Sequence, residues 1–386
     1  MSAMIARAVP ADATECALIL AEASRDRHTV RIIGSGTKSY VGDVGPTDLE
    51  LSTSHLAGVI DHVPADLTVT VGAGIRVAEL SAALARAGQF LPLDPPHADQ
   101  ATVGGVIAAN SNGFWRARYG AVRDLLIGTR IALADGTVAR AGGRVVKNVA
   151  GYDLDKLLVG SFGTLGVIVE ATFKVLPAPV ASSGLLARFA RSADAFAAAN
   201  AVARGASRVE ACVVEWSEGP TWRLALQARG SGPTVERAVA DARREVAARQ
   251  GSTHELGNSL AAMRELPARA MDGALVRVSL PIAAASAFAE TAARLETLAA
   301  LVADPASGVV RAHLVGDDDA VVRDAEALLL AARVIGGNGR IERRAEPLRS
   351  RLPTWPTPPN GDFLMRRIKD AFDPAGILEP GRLAFP

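Results

Sequence analysis

Cysteine is nearly missing from this chain of 386 residues: Cys16 and Cys212 are the only two. They stand far apart without metal-like spacing, which excludes a disulfide framework and leaves no iron–sulfur ligand set. An excess of one charge is missing too, with 42 Lys and Arg against 41 Asp and Glu. Nothing therefore points to nucleic acid or another polyanion as a partner. No uncharged run approaches the roughly 20 apolar residues needed to span a bilayer. The start, MSAMIARAVPADATE, has no basic-then-apolar leader, so a cytoplasmic protein is expected. No repeat of fixed period occurs. What remains is a chain that is 49% hydrophobic, long enough for about two domains.

Glycine carries the pattern. In RIIGSGTKSYVG (31–42), a short strand-like run, Arg31, Ile32 and Ile33, leads into Gly34, Ser35, Gly36 and Thr37. Such a loop can turn successive N–H groups into one concavity that binds an anion, most naturally a pyrophosphate. A second dense stretch is VKNVAGYDLDKLLVGSFGTLGVIVE (146–170), where Gly163, Thr164, Leu165 and Gly166 run into Val167, Ile168 and Val169. A third is ATVGGVIAANSNG (101–113), following Pro95 and Pro96. Gly72-Ala73-Gly74 partly imitates a nicotinamide-dinucleotide fingerprint, but it lacks the third glycine. The only acidic residue at the right distance is Asp94, inside a proline-rich loop, so the triplet reads as a turn.

Helical spacing predicts helices over 12–24, 77–88, 235–250, 286–301 and 362–372. Strands are expected at 28–33, 67–74, 208–216, 221–229, 274–282 and 309–315. The stretch 118–140 reads as a strand pair turned by Asp135-Gly136. Composition shifts near Pro177–Val180, so 181–345 reads as a separate α+β unit, and PTWPTPPN (353–360) as a stiff linker.

RIIGSGTK, the Pro95-Pro96 loop, ATVGGVIAANSNG, RYGAVRDLLIG, KNVAGYDLDKLLVGSFGTLGVI and FDPAGILEPGRL occur here in one order. Together they resemble the FAD-binding fold shared by vanillyl-alcohol oxidase, p-cresol methylhydroxylase (PCMH) and D-lactate dehydrogenase, and within it the FAD-binding subunits of glycolate oxidases. The resemblance implies an α+β chain. A two-part FAD-binding domain would occupy 1–178, an inserted α+β cap 179–345, and a linker and returning tail 346–386. It also implies that Ile33, Gly34, Ser35, Gly36, Thr37 and Lys38 wrap the pyrophosphate. Pro96, Thr102, Gly104 and Gly105 would follow the flavin and its phosphates, and Asn110, Asn112 and Gly113 the ribityl side. Gly163, Val167 and Ile168 would hold the adenosine end. Covalent members often carry a histidine just after the glycine loop. Thr37 stands there, so FAD is expected to be non-covalent.

Oxidising a 2-hydroxy acid needs a carboxylate anchor, a base for the hydroxyl proton and the flavin as hydride acceptor. His313 ends a cap strand where members of the family place an active-site histidine, but it could equally be structural. Tyr152 could stand near the flavin ring or anchor its own turn, and Lys147 or Arg382 could place positive charge near the flavin or lie in solvent. His28, His55, His62, His97 and His254 read as solvated, and no bound metal is expected. Asp317, Asp318 and Asp319 read as the first turn of a helix. The histidine pair of self-sufficient dehydrogenases is missing. The expected function is thus the FAD subunit of a glycolate oxidase complex, acting beside a second flavin subunit and an iron–sulfur subunit. Any membrane association would come through those partners. A free-standing FAD-dependent dehydrogenase for a D-lactate-like 2-hydroxy acid, or a flavin-bearing structural subunit, are the alternatives.

Overall fold

A computed structural model describes residues 5–143, 153–205, 209–217, 219–355 and 361–383. The chain divides into two compact units. The first comprises 1–112, 120–178 and 357–386; the second comprises 113–119 and 179–356. Residues 113–119 thus cluster with the second unit, inside the stretch that sequence alone assigns to a single domain. The second unit also runs on to 356, beyond the expected limit at 345. It does so because Leu348 and Leu352 are buried in that unit's core.

Among the described residues the first unit holds two larger sheets and a two-stranded pair, Gln89–Phe90 with Leu176–Pro177. In one, the strands Ala6–Ala8, Leu49–Ser52 and Val30–Ile33 lie parallel in that order. The helix Ala13–Asp26 precedes Val30–Ile33. Asp12 starts it by accepting from the Thr14 and Glu15 N–H groups at 2.8 and 2.9 Å. Its apolar stripe, Cys16, Leu20 and Ala23, packs on Val30, Leu51 and the end of the second sheet at Ala132 and Val167. That second sheet is antiparallel, in the order Val59–Val63, Thr68–Gly72, Val167–Lys174, Leu126–Ala132, Val138–Gly142. The Asp135-Gly136 turn is present, with Gly136 at φ +86° and the Thr137 N–H donating to Asp135 at 2.8 Å. The strand pair starts only at Leu126, because residues 116–119 and 122–125 are short helical turns. The tail returns to the parallel sheet: the Val30 N–H donates to Ile377 O at 2.8 Å, and the Glu379 N–H to Val30 O at 2.9 Å.

The second unit is one antiparallel sheet of eight strands. Its order is Ser252–His254, Ala181–Phe189, Trp222–Gly230, Ala211–Ser217, Leu298–Asp304, Val309–Leu314, Ala274–Ser279, Asn338–Arg344. The helices Ser192–Arg204, Gly232–Ala247, Ala285–Ala292 and Asp318–Val334 cover one face around Phe196, Leu224, Phe288 and Leu328. Trp222 is in this core, edge-on to Phe196. Asp317 caps the last of these helices, and Asp318 and Asp319 form its first turn.

One expected element changes type. The helix predicted over 286–301 ends at Ala292, and Leu298–Asp304 is a central strand paired with Ala211–Ser217 and Val309–Leu314. A short apolar run fits a fully buried strand as well as a buried helix, and here two flanking strands decide it.

Candidate dinucleotide site

The strand Val30–Ile33 runs straight into the glycine loop. The Ser39 N–H donates to Gly36 O at 3.0 Å and the Val41 N–H to Lys38 O at 3.2 Å, closing two successive turns, with Gly36 at φ +74°. A Cβ on Gly34 would overlap the Thr102 Oγ1, so the loop and the start of the helix Val103–Ala108 meet only because Gly34 has none. Thr102 caps that helix, its hydroxyl accepting from the Gly105 N–H at 3.3 Å. Gly104 donates to Ala73 O at 2.7 Å, and a Cβ on it would stand 2.9 Å from the Ala73 Cβ. Lys38 reaches over the loop, its Nζ donating to Pro96 O at 3.0 Å and to the Thr37 hydroxyl at 3.3 Å.

Two small adjoining clefts follow, both bordered by Ile32, Gly34, Gly105, Ala108 and Phe162. The first runs along residues 32–39 to Glu379 and Arg382; the second passes Thr53 and Gly104 to Gly163, Gly166 and Ile168. Gly163 is at φ +82°, and a Cβ there would lie 3.1 Å from Ile32 Cδ1. Main chain, small side chains and hydroxyls make up most of this surface. Such a surface suits a diphosphate along residues 34–38 and 105, with a nucleoside toward 163–168.

Two residues of the tail line the first cleft: Arg382, a candidate in the sequence, and Glu379, which is not singled out there. Glu379 accepts from the Ile32 N–H at 2.7 Å and pairs with Arg382 at 3.0 Å. Arg382 also donates to the carbonyls of Ser39 and Val41. Arg382 is 5% exposed, so it is neither a solvated surface cation nor a free charge beside the flavin. Burial pushes the Glu379 carboxyl up, against the pull of Arg382 and the Ile32 N–H.

Other expected residues sit differently. Val167 is buried in the core with Val30 and Ala132 and lines neither cleft, whereas Ile168 lines the second. Asn112 spends its amide on its own loop. Its Nδ2 donates to Asn110 O and Oδ1, both at 2.9 Å, and its Oδ1 accepts from the Val122 N–H at 3.0 Å. Gly113 belongs to the second unit, and Lys147 and Tyr152 lie outside the described residues. Gly72 and Gly74 are packing glycines: a Cβ on either would overlap the carbonyl of Leu56 or Thr53.

In the second unit, the sheet face away from the helices carries Phe114, Met263, Leu266 and Leu275 alongside charged residues. His313 lies here, opposite Leu275 and Ala300. A carbonyl can only accept, so the His313 Nε2 donates to Asp272 O at 2.9 Å. Beside it, Arg340, Arg277 and Arg311 stand directly opposite one another across three adjacent strands. Among the described residues, no group of three or more His, Cys, Asp or Glu could hold a metal ion.

Residues 5–142 match the family of the FAD binding domain. The fold mixes helix and sheet, and the matched FAD binding domain makes FAD the cofactor. The chain is 42% identical over 165 residues to the glycolate oxidase subunit GlcE of Escherichia coli, covering 42% of this chain and 47% of that one. It is 38% identical over 182 residues to the glycolate oxidase subunit GlcD of Bacillus subtilis (47% and 38% covered). To the D-lactate dehydrogenase of Archaeoglobus fulgidus it is 39% identical over 171 residues (44% and 38%). The matched stretches span less than half of each of these relatives. A solved alkyldihydroxyacetonephosphate synthase shares the fold, with a TM-score of 0.74 at 15% identity over 97% of this chain and 75% of that one.

Proposed function

We propose that this chain is the FAD-carrying subunit of an enzyme complex that oxidises the CH–OH group of a small 2-hydroxy acid, glycolate foremost. The observation that carries this reading is the cradle formed by Gly34, Thr102, Gly105 and Gly163. It belongs to a chain most similar, among the relatives compared above, to a glycolate oxidase subunit. Bound FAD would supply a hydride acceptor. This chain's residues would supply the rest: residues 34–38 and Thr102 hold the diphosphate, and the Glu379–Arg382 pair keeps the loop in shape. His313, with Nε2–H committed to Asp272 O, would take the hydroxyl proton at Nδ1. Tyr152 is the other candidate for that neighbourhood. The flavin of this chain would work beside a second, catalytic flavin subunit and an iron–sulfur subunit, and the electrons would leave through a partner or a soluble acceptor. No helix among the described residues is long and apolar enough to cross a membrane, so any membrane association would come through such partners.

The experiment is to purify the chain alone, add glycolate or D-lactate anaerobically, and follow the flavin band. The complex reading expects no bleaching alone and turnover on adding partner subunits. Bleaching by the isolated chain would make it a free-standing dehydrogenase. Flavin that neither substrate nor partner reduces would leave a structural role. Acid precipitation of the yellow protein should release the flavin into the supernatant, because Thr37 offers no ring nitrogen for a covalent bond.

A further inference from the structure

Glu379 puts an acid on the wall of a cleft that would hold an anion. It borders that cleft together with the glycine loop, Thr102, Gly105 and Arg382, the stretch proposed above for the diphosphate. The other polar side chains there suit a diphosphate, being hydroxyls such as Ser35, Thr37 and Thr102 or the cations Lys38 and Arg382. The exception, Glu379, is 2% exposed and held at φ +47°, a conformation uncommon for a long side chain.

The Glu379 Oε1 accepts from the Ile32 N–H at 2.7 Å, and its Oε2 from the Arg382 Nε at 3.0 Å. The tail's own turn thus brings Arg382, and the strand Val30–Ile33 brings Arg31. The glycine loop brings Lys38, whose Nζ is held at Pro96 O. The turn at Gly163, where a Cβ would stand 3.3 Å from the Glu379 Cγ, brings no charged side chain over residues 160–166. Burial outweighs Arg382, the Ile32 N–H and Arg31, so the carboxyl keeps its proton to a higher pH than an ordinary glutamate. A diphosphate in the same cleft would add like charge and disfavour the ionised form further. Protonation does not undo the wall. It turns one carboxyl oxygen into an O–H donor, the kind of group an anion can use, while Arg382 keeps the carbonyls of Ser39 and Val41.

We infer that Glu379 couples FAD binding to the uptake of a proton, so that a carboxylate in the flavin-free chain becomes a neutral acid beside bound FAD. The proton comes from the buffer and rests on the Glu379 carboxyl; no bond of FAD is made or broken. This coupling rests on FAD occupying the cleft as proposed above. It is separate from hydride transfer and from whether the chain turns over by itself. It gives flavin retention a pH dependence of fixed sign: FAD is held more tightly as pH falls and released more readily as pH rises.

The test titrates FAD into the full chain freed of flavin, by calorimetry near neutral pH, in phosphate and in Tris. These buffers differ widely in ionisation enthalpy, so the two binding heats should differ by the amount that uptake of up to about one proton requires. Between about pH 6 and 8 the FAD Kd should weaken as pH rises, by up to about tenfold per unit. FAD keeps its own charge over that range, so the slope belongs to the protein. In Glu379→Gln, of the same shape but without a titrating group, the buffer difference and the slope should both vanish. At the alkaline end FAD should bind this variant more tightly than the wild type, which a merely structural glutamate would not allow. Should Glu379→Gln fail to fold, Glu379→Asn serves, since asparagine tolerates the positive φ. Equal heats in the two buffers, proton release, or undiminished uptake in either variant would each overturn the coupling while leaving FAD binding intact. Failure of the wild type to bind FAD at all would instead sink the cofactor site itself, so the two failures are told apart.

Discussion

The Arg382 Nε lies 3.0 Å from the Glu379 Oε2, and both residues are buried at the wall of the cleft along residues 32–39. Through this pair the tail grips the glycine loop: Glu379 takes the Ile32 N–H, and Arg382 donates to the carbonyls of Ser39 and Val41. A buried pair is weak evidence of net stabilisation, but breaking it strands a charge. Arg382→Met should therefore lose about 3–5 kcal/mol in denaturant unfolding. The double variant with Glu379→Gln should lose clearly less than the sum of the two single changes. Additive losses would show that the two side chains act separately.

Gly34→Ala places a methyl group on the Thr102 hydroxyl. The loop and the capped helix must then part, and the diphosphate loses its seat. The purified variant should hold at most about a tenth of the wild-type flavin, a loss on the order of 1.4 kcal/mol or more. Its far-ultraviolet circular dichroism should be unchanged. Thr102→Ser in the same background shortens the opposing side chain without removing its hydroxyl, so it should restore little, because the clash is with Oγ1 itself. Full flavin content in Gly34→Ala would remove the loop from the cofactor site.

His313→Gln keeps a polar group near Asp272 but has no basic ring nitrogen. In the reconstituted complex, kcat should fall about 10²–10⁴-fold, the usual contribution of a general base, with little change in flavin content. Raising the pH should recover part of the lost rate in the variant, as hydroxide takes over the proton. A fall in melting temperature with unchanged kcat would instead make His313 a strand-end tether.

Asp304 carries a pH signature. Burial pushes its carboxyl up to about 6, against Ser307 and Arg116, from an unfolded value of 3.8. The folded chain then holds the proton more tightly than the unfolded chain. The stabilising contribution is complete below about pH 3.8 and is lost as pH rises through about 6. The total is about 3 kcal/mol. Glu342 acts in the opposite sense: held at about 2, it contributes above 4.5 and is lost as pH falls toward 2. Between pH 4 and 6, unfolding free energy should therefore fall more steeply in the wild type than in Asp304→Asn. Parallel curves for the two proteins would contradict this.

Short-range chemistry was legible without coordinates. The helix start near Asp12, the Asp135-Gly136 turn, the helix start at the Asp317–Asp319 triplet and the helix Asp362–Phe372 each depend on residues within a few positions. The glycine loop belongs with them, since its turns close on Gly36 and Lys38. The chain by itself thus determined where its glycine loop would turn. What only the tertiary structure decided is whatever depends on register between distant strands. It made Leu298–Asp304 a strand between two partners instead of the end of a helix, and it buried Val167 while turning Ile168 to the cleft. It also carried Arg382 back against Ser39 and Val41, and set Arg340, Arg277 and Arg311 in line. A local pattern states which face a residue prefers; only the folded chain states which residue it will face.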